Sequence, residues 1–185
     1  MKRNDVPVQE PVAFFRPVEL PNGKCEDARF RVVRLPPHTI PGVRTYFCHH
    51  FTRHLVWRDD WRRHPNGAIN VDAVTMVANH YAVAATIFTR MFGQRFVSDE
   101  TDKLVFKTAN GRIEIVTPEA LTRRFGDAAP EPAGRGEYLA ALTIRTAGLD
   151  RTAEALARAP GVRTEKSRIV VHAKHAFNAT LEFVE

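Results

Sequence analysis

Apolar and polar positions along the chain follow two spacings, one typical of strands and one typical of helices. Residues 71–78 alternate and are rich in β-branched side chains, which predicts a strand. Residues 81–92 carry apolar side chains at the spacing of one helix face. Three short strands are then expected, at 94–97, 103–107 and 112–116. The pattern predicts a β-α-β-β-β unit.

The same order of elements recurs in the last quarter of the chain. A strand is expected at 138–146 and a helix at 149–159, followed by strands at 162–166, 168–174 and 180–184. Identical residues recur without a gap at an offset of 68: Ala73, Thr75, Ala85, Arg90, Gly93, Arg95, Asn110 and Glu114 return as Ala141, Thr143, Ala153, Arg158, Gly161, Arg163, Asn178 and Glu182. Such a register predicts a duplicated supersecondary unit.

The repeat divides the chain into four parts: an N-terminal strand block with a junction segment (1–67), a first unit (68–126), a Pro/Gly/Ala-rich linker (127–136) and a second unit (137–185). The N-terminal block predicts three strands at 12–16, 29–35 and 44–49, and we interpret it as a remnant of a further unit. We therefore expect an α+β fold with paired β-α-β-β-β units and a mixed sheet. Exposed sheet edges in such a block favour a homodimer.

Composition and charge restrict the ligands and cellular locations that we expect for the protein. The 185 residues are 44% hydrophobic with a net charge of +6, and the basic residues are scattered rather than gathered into a stripe. This pattern favours a small-molecule ligand or substrate over nucleic acid. No apolar run approaches the roughly 20 residues that span a bilayer, so no membrane association is expected. With two cysteines, a reducing cytoplasm is the expected location.

The junction segment, FCHHFTRHLVWRDDWRRHPNGA (47–68), is the most distinctive run in the chain. It resembles the junction of the glyoxalase-like domain family in the vicinal oxygen chelate superfamily, where the pattern is roughly F-C-Q-H-x-T-P-E-x-V-W followed by H-x-N-G-A. The matching positions are Phe47, Cys48, His50, Thr52, Val56, Trp57, His64, Asn66, Gly67 and Ala68. His49, Arg53 and His54 depart from the pattern. The resemblance implies a cupped fold and lyase or dioxygenase-like chemistry on a small oxygenated organic molecule.

The resemblance also implies where a divalent metal would sit, on the first and last strands of each unit. The last-strand positions are Glu114 and Glu182, and the first-strand positions are Ala73 and Ala141, which replace the expected ligands. Two carboxylates make an incomplete metal site, so a divalent metal is not favoured and the cofactor is left open. The glutamates could be residual or solvated carboxylates, or metal ligands completed by a histidine from elsewhere. A third interpretation is a catalytic general base whose pKa is raised by burial beside a second carboxylate.

Other candidates lie in the junction segment itself. His50 falls on the family pattern and is a candidate catalytic residue, although a histidine bonded to backbone at a strand end fits equally well. Trp57, His64 and Asn66 are candidate substrate-binding residues. For His64 and Asn66 the alternative is a structural turn. Trp57 and Trp61, at i and i+4 of an expected helix over 55–63, are more typical of packing between subdomains than of a stacking platform.

Three functions are therefore open at the level of sequence. The chain could be a glyoxalase- or dioxygenase-like enzyme with a degenerate metal site. It could be a metal-free module that sequesters a small molecule, as resistance-type relatives do. It could also be a structural half that assembles with another chain. The two alanines favour binding over metal-dependent catalysis.

Overall fold

A computed structural model describes residues 4–80, 82–93, 97–100 and 103–185, with the backbone alone at 97–100. The N-terminal strands are β1 (Val12–Glu19), β2 (Cys25–Arg34) and β3 (Tyr46–His50), and a 3-10 turn at Arg53–Leu55 and helix α1 (Asp59–Arg62) follow. The first unit comprises β4 (Ala68–Ala78), α2 (Ala82–Phe92), β5 (Val97–Glu100), β6 (Lys103–Lys107) and β7 (Arg112–Val116). Helix α3 (Pro118–Phe125) leads to β8 (Glu137–Thr146), α4 (Leu149–Leu156), β9 (Val162–Thr164), β10 (Ile169–Val171) and β11 (Thr180–Val184).

The two units share one eight-stranded sheet of order β5-β6-β7-β4-β8-β11-β10-β9. The first strands of the two units meet at its centre, where β4 and β8 pair antiparallel. Val74 faces Leu142 across this pair, and these two residues are themselves equivalent in the sequence repeat. A local two-fold relation therefore passes through the middle of the sheet. The predicted paired β-α-β-β-β fold is confirmed.

The N-terminal strands form a separate three-stranded antiparallel sheet, β1-β2-β3, as predicted. The segment after β2 packs Leu35 and Ile40 into the core that α2 forms with the first unit, beside Phe88 and Phe106. Gly42 lies in the same segment at a φ of 68°, and a Cβ there would collide with the backbone carbonyl of Glu137. The N-terminal block therefore packs against the rest of the protein.

Helix α3 was not expected from the sequence, and it fills the concave side of the sheet. Its buried residues Ala120, Leu121 and Phe125 belong to one cluster with Val77 and Ala141 on the sheet floor. The local signals are complete: the Thr117 hydroxyl accepts the Ala120 N–H, Pro118 occupies the first turn, and Gly126 closes the last turn. The cup that the family resemblance implies is therefore partly occupied by the chain itself.

Several element boundaries differ from the predicted ones. Helix α4 ends at Leu156 rather than at 159. The strand expected at 168–174 is shorter, since β10 stops at Val171 and a 3-10 turn spans Ala173–His175. Parts of the expected helix at 81–92 and strand at 94–97 lie outside the described residues. Within the described part of the chain, no helix is long and apolar enough to cross a membrane.

Candidate functional site

The two repeated glutamates occupy equivalent places on the concave face of the sheet. Glu114 on β7 is aligned with Thr75 on β4, and Glu182 on β11 is aligned with Thr143 on β8. In each unit the threonine donates its Oγ1 hydrogen to the glutamate Oε2, at 3.3 Å for Thr75 and 2.7 Å for Thr143. Both glutamates are buried. The repeat therefore produces two matched carboxylates that face one another across β4 and β8.

A single guanidinium joins the two carboxylates. Arg124, in the last turn of α3, donates from Nη1 to Glu114 Oε2 at 2.6 Å and from Nη2 to Glu182 Oε2. Its Nη2 also lies 3.2 Å from Thr143 Oγ1. The planar fork of arginine suits this geometry because it presents two parallel donors to two acceptors.

Further cations complete what we call the ion cluster, defined as Lys103, Arg112, Glu114, Arg124, Arg168 and Glu182. Arg112 Nε donates to Glu114 Oε1 at 2.8 Å, and Lys103 Nζ lies 3.2 Å from the same oxygen. Arg168 Nη1 donates to Glu182 Oε1 at 2.9 Å. Every carboxylate oxygen of the two glutamates thus accepts a charged hydrogen bond.

These contacts decide the protonation state of the carboxylates. Burial alone raises the pKa of Glu114, but the charge of Arg124, together with Arg112 and Lys103, lowers that pKa to about 2. Burial opposes ionisation of Glu182 in the same way, and Arg124, Thr143 and Arg168 outweigh it, so its pKa also lies below the usual range. The expectation of a glutamate pKa raised by burial beside a second carboxylate is therefore wrong. The reason is that the Arg124 guanidinium lies between the two carboxylates.

The residues of the cluster do not fit a divalent metal. The first-strand positions Ala73 and Ala141 are buried on the floor of the cup and offer no ligand atoms. A guanidinium already holds the facing oxygens of Glu114 and Glu182. Over the ranges that the structure describes, no group of three or more His, Cys, Asp and Glu residues is placed to hold a metal ion.

An open cavity of about 590 Å³ adjoins the ion cluster. We call it the basic cavity; its lining includes Arg53, Trp57, Arg62, Ile69, Asn70, Asp72, Lys107, Asn110, Gly111, Arg112 and Arg145. Arg112 belongs to both sites, because its Nε contacts Glu114 and its Nη1 lies 3.2 Å from Asp72 Oδ2. The cavity therefore opens beside the ion cluster and is rich in positive charge.

Local backbone irregularities build the floor of the basic cavity. The β4–β8 register shifts between Val71 and Ala73, and Asp72 at this point pairs with Arg112 and Arg145. Gly111 brings the β6–β7 turn against the same bulge, since a Cβ there would lie 2.9 Å from the Asp72 carbonyl oxygen. Only a glycine permits this close approach.

Among the junction residues proposed to bind substrate, the structure brings Trp57 into the basic cavity. Trp57 is 48% exposed and Trp61 is 57% exposed, so the expected packing of both rings between subdomains is wrong. The expected helix over 55–63 is also shorter, since α1 covers Asp59–Arg62 alone and leaves Trp57 on the loop before it. Arginine side chains cover the rings instead, with the Arg53 guanidinium 4.7 Å from the Trp57 centroid.

His64 and Asn66 form the turn that leads into β4. The His64 Nδ1 and Asn66 Oδ1 atoms are 2.6 Å apart, and Asn66 Oδ1 accepts the Ala68 N–H at 2.9 Å. The Asn66 carbonyl accepts the Thr152 hydroxyl at 2.8 Å. These bonds fit the structural interpretation of the turn, and ligand contact by His64 or Asn66 stays a prediction.

His50 lies on β3, on the small sheet, away from the ion cluster. Its ring packs edge-on against Phe30 at 4.9 Å and against Trp57 at 6.3 Å between centroids. Its Nδ1 atom is buried, with no hydrogen-bond partner among the described residues. His50 thus supports the tryptophan that lines the basic cavity, and a catalytic role for it stays a prediction.

Most of the charged residues that define the site were not predicted from the sequence. Arg124 could have been found from the Thr-Pro start, Leu121/Phe125 spacing and Gly126 stop of α3, because these signals place it on a helix after the first unit. Asp72, Lys107 and Arg145 carry no comparable signal. Their convergence depends on the bulge in β4 and on the sheet pairing of the two units.

Together these features define an α+β fold of paired β-α-β-β-β units, with an arginine-bridged acidic pair in its cup and a basic cavity at its side. No protein-family model matches the chain, and no curated protein matches it. Among solved structures, the chain is similar to methylmalonyl-CoA epimerase from Mycobacterium tuberculosis, at 19% identity and a TM-score of 0.48 over 64% of this chain and 89% of that one. It is also similar to a hypothetical protein from Staphylococcus aureus, at 8% identity and a TM-score of 0.58 over 98% of this chain.

The second likeness supports the fold alone, and the first is too weak to support a conclusion of its own. The matched region spans 58% of the Staphylococcus aureus chain.

Proposed function

We propose that this protein is a metal-independent member of the vicinal oxygen chelate superfamily that binds a small oxygenated organic molecule in the basic cavity. The observation that carries the proposal is the position of Arg124 between Glu114 and Glu182. The oxygens that the family resemblance assigns to a metal already accept hydrogen bonds from an arginine of the same chain. The open cavity beside them leaves room for a ligand.

The protonation state and contacts of the two glutamates favour a binding function over a catalytic one. A general base works best when its pKa lies near the working pH, and the pKa of Glu114 is about 2. Its Oε1 accepts bonds from Lys103 and Arg112, and its Oε2 accepts bonds from Thr75 and Arg124. These four bonds leave no free lone pair for an incoming proton donor. A glyoxalase- or dioxygenase-like activity of this protein would need a catalytic group other than this pair.

A fragment screen tests the proposal. Small alcohols, ketones, carboxylates and amides are added to the purified protein while the indole N–H signals of Trp57 and Trp61 are followed by NMR. The Trp61→Phe variant assigns the signal of Trp57. We expect a subset of fragments to move the Trp57 signal equally with and without a metal chelator.

Two results would overturn this proposal. One is a screen in which no fragment moves the Trp57 signal. The other is a purified protein that carries one equivalent of divalent metal, loses it in Glu182→Gln, and binds fragments only when the metal is present.

We also propose that two copies of the chain associate through the small sheet. Strand β1 is an edge strand, and its aromatic residues Phe14 and Phe15 are 36% and 63% exposed. With Phe30 and Phe51 they line a shallow cavity of about 400 Å³. A second copy of β1 fits this edge, because antiparallel pairing around a two-fold axis covers the same apolar patch on both copies.

Light scattering tests the dimer. A chain of 20.9 kDa should elute with about twice that mass at micromolar concentration. Phe15→Ser should shift the mass to the monomer, whereas Val83→Ser, at an exposed apolar site on α2, should not. A monomeric wild type, or a dimer that survives Phe15→Ser and Phe14→Ser together, would rule out this interface.

A cytoplasmic location is part of the same proposal. Cys25 and Cys48 are both free thiols in the structure, as expected for a protein of a reducing compartment. Alkylation of intact cells before lysis, followed by mass spectrometry, should find both thiols reduced.

A further inference from the structure

The basic cavity has more positive charge than its own acid can neutralise. Its cations are Arg53, Arg62, Lys107, Arg112 and Arg145, and its one carboxylate is Asp72. Asp72 is shared, since Arg112 Nη1 lies 3.2 Å from Oδ2 and Arg145 Nε donates to Oδ1 at 3.1 Å. Arg112 also bonds Glu114, and Arg62 pairs with Asp59 at 3.3 Å. No acidic side chain of the described residues pairs with Arg53 or Lys107, so an anion that enters the cavity meets a net positive field.

Two of these cations form no ion pair within the described ranges. Arg53 and Lys107 both lie on the wall of the cavity. The Arg53 guanidinium is held by stacking, with its carbon 4.7 Å from the Trp57 centroid. Stacking fixes the plane of a guanidinium without using its N–H donors. Arg53 is thereby oriented while its donors stay available to a ligand.

The cavity also has an apolar wall. Trp57 and Ile69 are 48% and 56% exposed, and both line the cavity. Ile69 stands at the first register shift of β4, between Ala68 and Asn70. An exposed indole and an exposed isoleucine beside a cationic group suit a ligand with a flat apolar body and an oxyanion head.

The floor is rigid enough to keep this arrangement in place. Asn70 Nδ2 donates to the Asn110 carbonyl at 2.7 Å, which fastens the β6–β7 turn to β4. Gly111 allows the turn to approach the Asp72 backbone. Because Asp72 in turn fixes Arg112 and Arg145, the cations of the floor are oriented before any ligand arrives.

We propose that the basic cavity selects small organic anions, in which a carboxylate or phosphate contacts Arg53, Lys107 and the Arg112/Arg145 pair while a flat apolar body packs on Trp57. This inference rests on the proposed function and narrows it from any oxygenated molecule to an anionic one. The apolar wall distinguishes such a ligand from inorganic phosphate, which would use the charge alone.

Matched probes test the inference. The Trp61→Phe variant keeps Trp57 as its sole tryptophan, so quenching of its fluorescence reports the cavity directly. Benzoate, phenyl phosphate, benzyl alcohol and inorganic phosphate are titrated into it, and calorimetry repeats the measurement on the wild type. We expect the two aromatic anions to bind at least about tenfold more tightly than benzyl alcohol and inorganic phosphate.

Charge variants then locate the binding site. Lys107→Gln and Arg53→Gln should each weaken benzoate binding about three- to tenfold and leave benzyl alcohol unchanged. Lys24→Gln removes the same charge from an exposed turn on the small sheet, and it should leave both affinities unchanged. A fall in affinity from Lys24→Gln equal to that from Lys107→Gln would show a general charge effect and overturn the inference.

The outcomes separate the two proposals. If benzyl alcohol binds as tightly as benzoate, selection for anions is wrong while the small-molecule function stands. If no probe or screened fragment perturbs Trp57, both proposals fail. If a single-stranded oligonucleotide displaces benzoate from the cavity at a lower concentration than phenyl phosphate does, the cavity is a nucleic-acid binding site and the inference is overturned.

Discussion

At the scale of the residue, Arg124 determines the charge and hydrogen bonding of the two glutamates in the cup. Glu114 and Glu182 are the side chains that the repeat places face to face, and in the absence of a cation their charges would repel at close range. The guanidinium of Arg124 neutralises both and fixes their oxygens through directed hydrogen bonds. Arg124 thus contacts the carboxylate oxygens to which the family resemblance assigns a metal.

Removal of Arg124 should destabilise the protein strongly. Arg124→Met leaves two buried carboxylates facing each other, and breaking a buried ion pair in this way costs about 3–5 kcal/mol. Urea denaturation at pH 7 measures the loss. Arg158→Met, at an exposed position just after α4, should change the free energy of unfolding by about 0.5 kcal/mol or less. Similar losses from both variants would contradict the ion cluster.

The lowered pKa of Glu114 predicts a particular acid sensitivity. A carboxyl whose pKa falls from 4.5 to about 2 on folding stabilises the protein above pH 4.5, and this contribution is lost as the pH falls through 2. The shift corresponds to about 3 kcal/mol. Urea midpoints measured from pH 7 to pH 2 should therefore drop most steeply below pH 4.5.

Two variants assign that slope to Glu114. Glu114→Gln should be less stable at pH 7 and show a flatter profile below pH 4.5, because the titrating group is gone. Glu154→Gln, at an exposed position on α4, should keep the wild-type profile. An unchanged slope in Glu114→Gln would mean that other carboxylates govern the acid transition.

At the scale of the element, helix α3 packs into the cup and fills part of it with buried side chains. Its Phe125 is fully buried among Val77, Ala141 and Val170 on the floor of the sheet. The same helix carries Arg124, whose guanidinium carbon lies 4.8 Å from the centroid of the Phe125 ring. Apolar packing of the helix therefore positions the charge that bridges the glutamates.

Truncation of Phe125 tests this coupling of packing to charge. Phe125→Ala should lower the free energy of unfolding by about 3–5 kcal/mol, as expected for a large buried aromatic side chain. Phe177→Ala makes the same chemical change at a fully exposed ring, and it should stay within about 0.5 kcal/mol of the wild type. Thermal or urea unfolding distinguishes them, and equal effects would mean that α3 does not fill the cup.

At the scale of the whole molecule, the N-terminal block is fitted to both units. Leu35 and Ile40 enter the core of the first unit, while Gly42 approaches the backbone of Glu137 at the start of the second. This seating leaves β1 and its exposed aromatic residues on the outside. The block therefore contacts the body of the protein on one side and presents the proposed dimer edge on the other.

Two glycines provide a matched test of that seating. Gly42 and Gly23 have φ values of 68° and 75°, so alanine is strained at both. At Gly23 no atom lies within 4 Å of the added Cβ, whereas at Gly42 the Cβ meets the Glu137 carbonyl. Gly42→Ala should therefore cost about 1–3 kcal/mol more than Gly23→Ala in thermal unfolding. Equal costs would mean that the block and the second unit are not in close contact.

Local pattern predicted much of the fold, as individual elements illustrate. Strands β6, β7 and β11 begin and end where the alternation of their side chains places them. Helix α3 has local signals, but it has no counterpart in the second unit, so the repeat does not predict it. The bulge at Asp72 was not predictable, since it reflects how β4 pairs with β8 rather than any preference of its own residues.

The sequence by itself determined the duplication, and with it the equivalence of Glu114 and Glu182. A repeat copies local preferences, and periodic side chains fix which face of a strand each residue occupies. Only the tertiary structure decided what those glutamates contact. Arg124 lies outside the repeated elements, and its reach to both carboxylates depends on how α3 packs into the cup. The basic cavity likewise exists because distant segments meet, so its charge pattern appears in three dimensions and not along the chain.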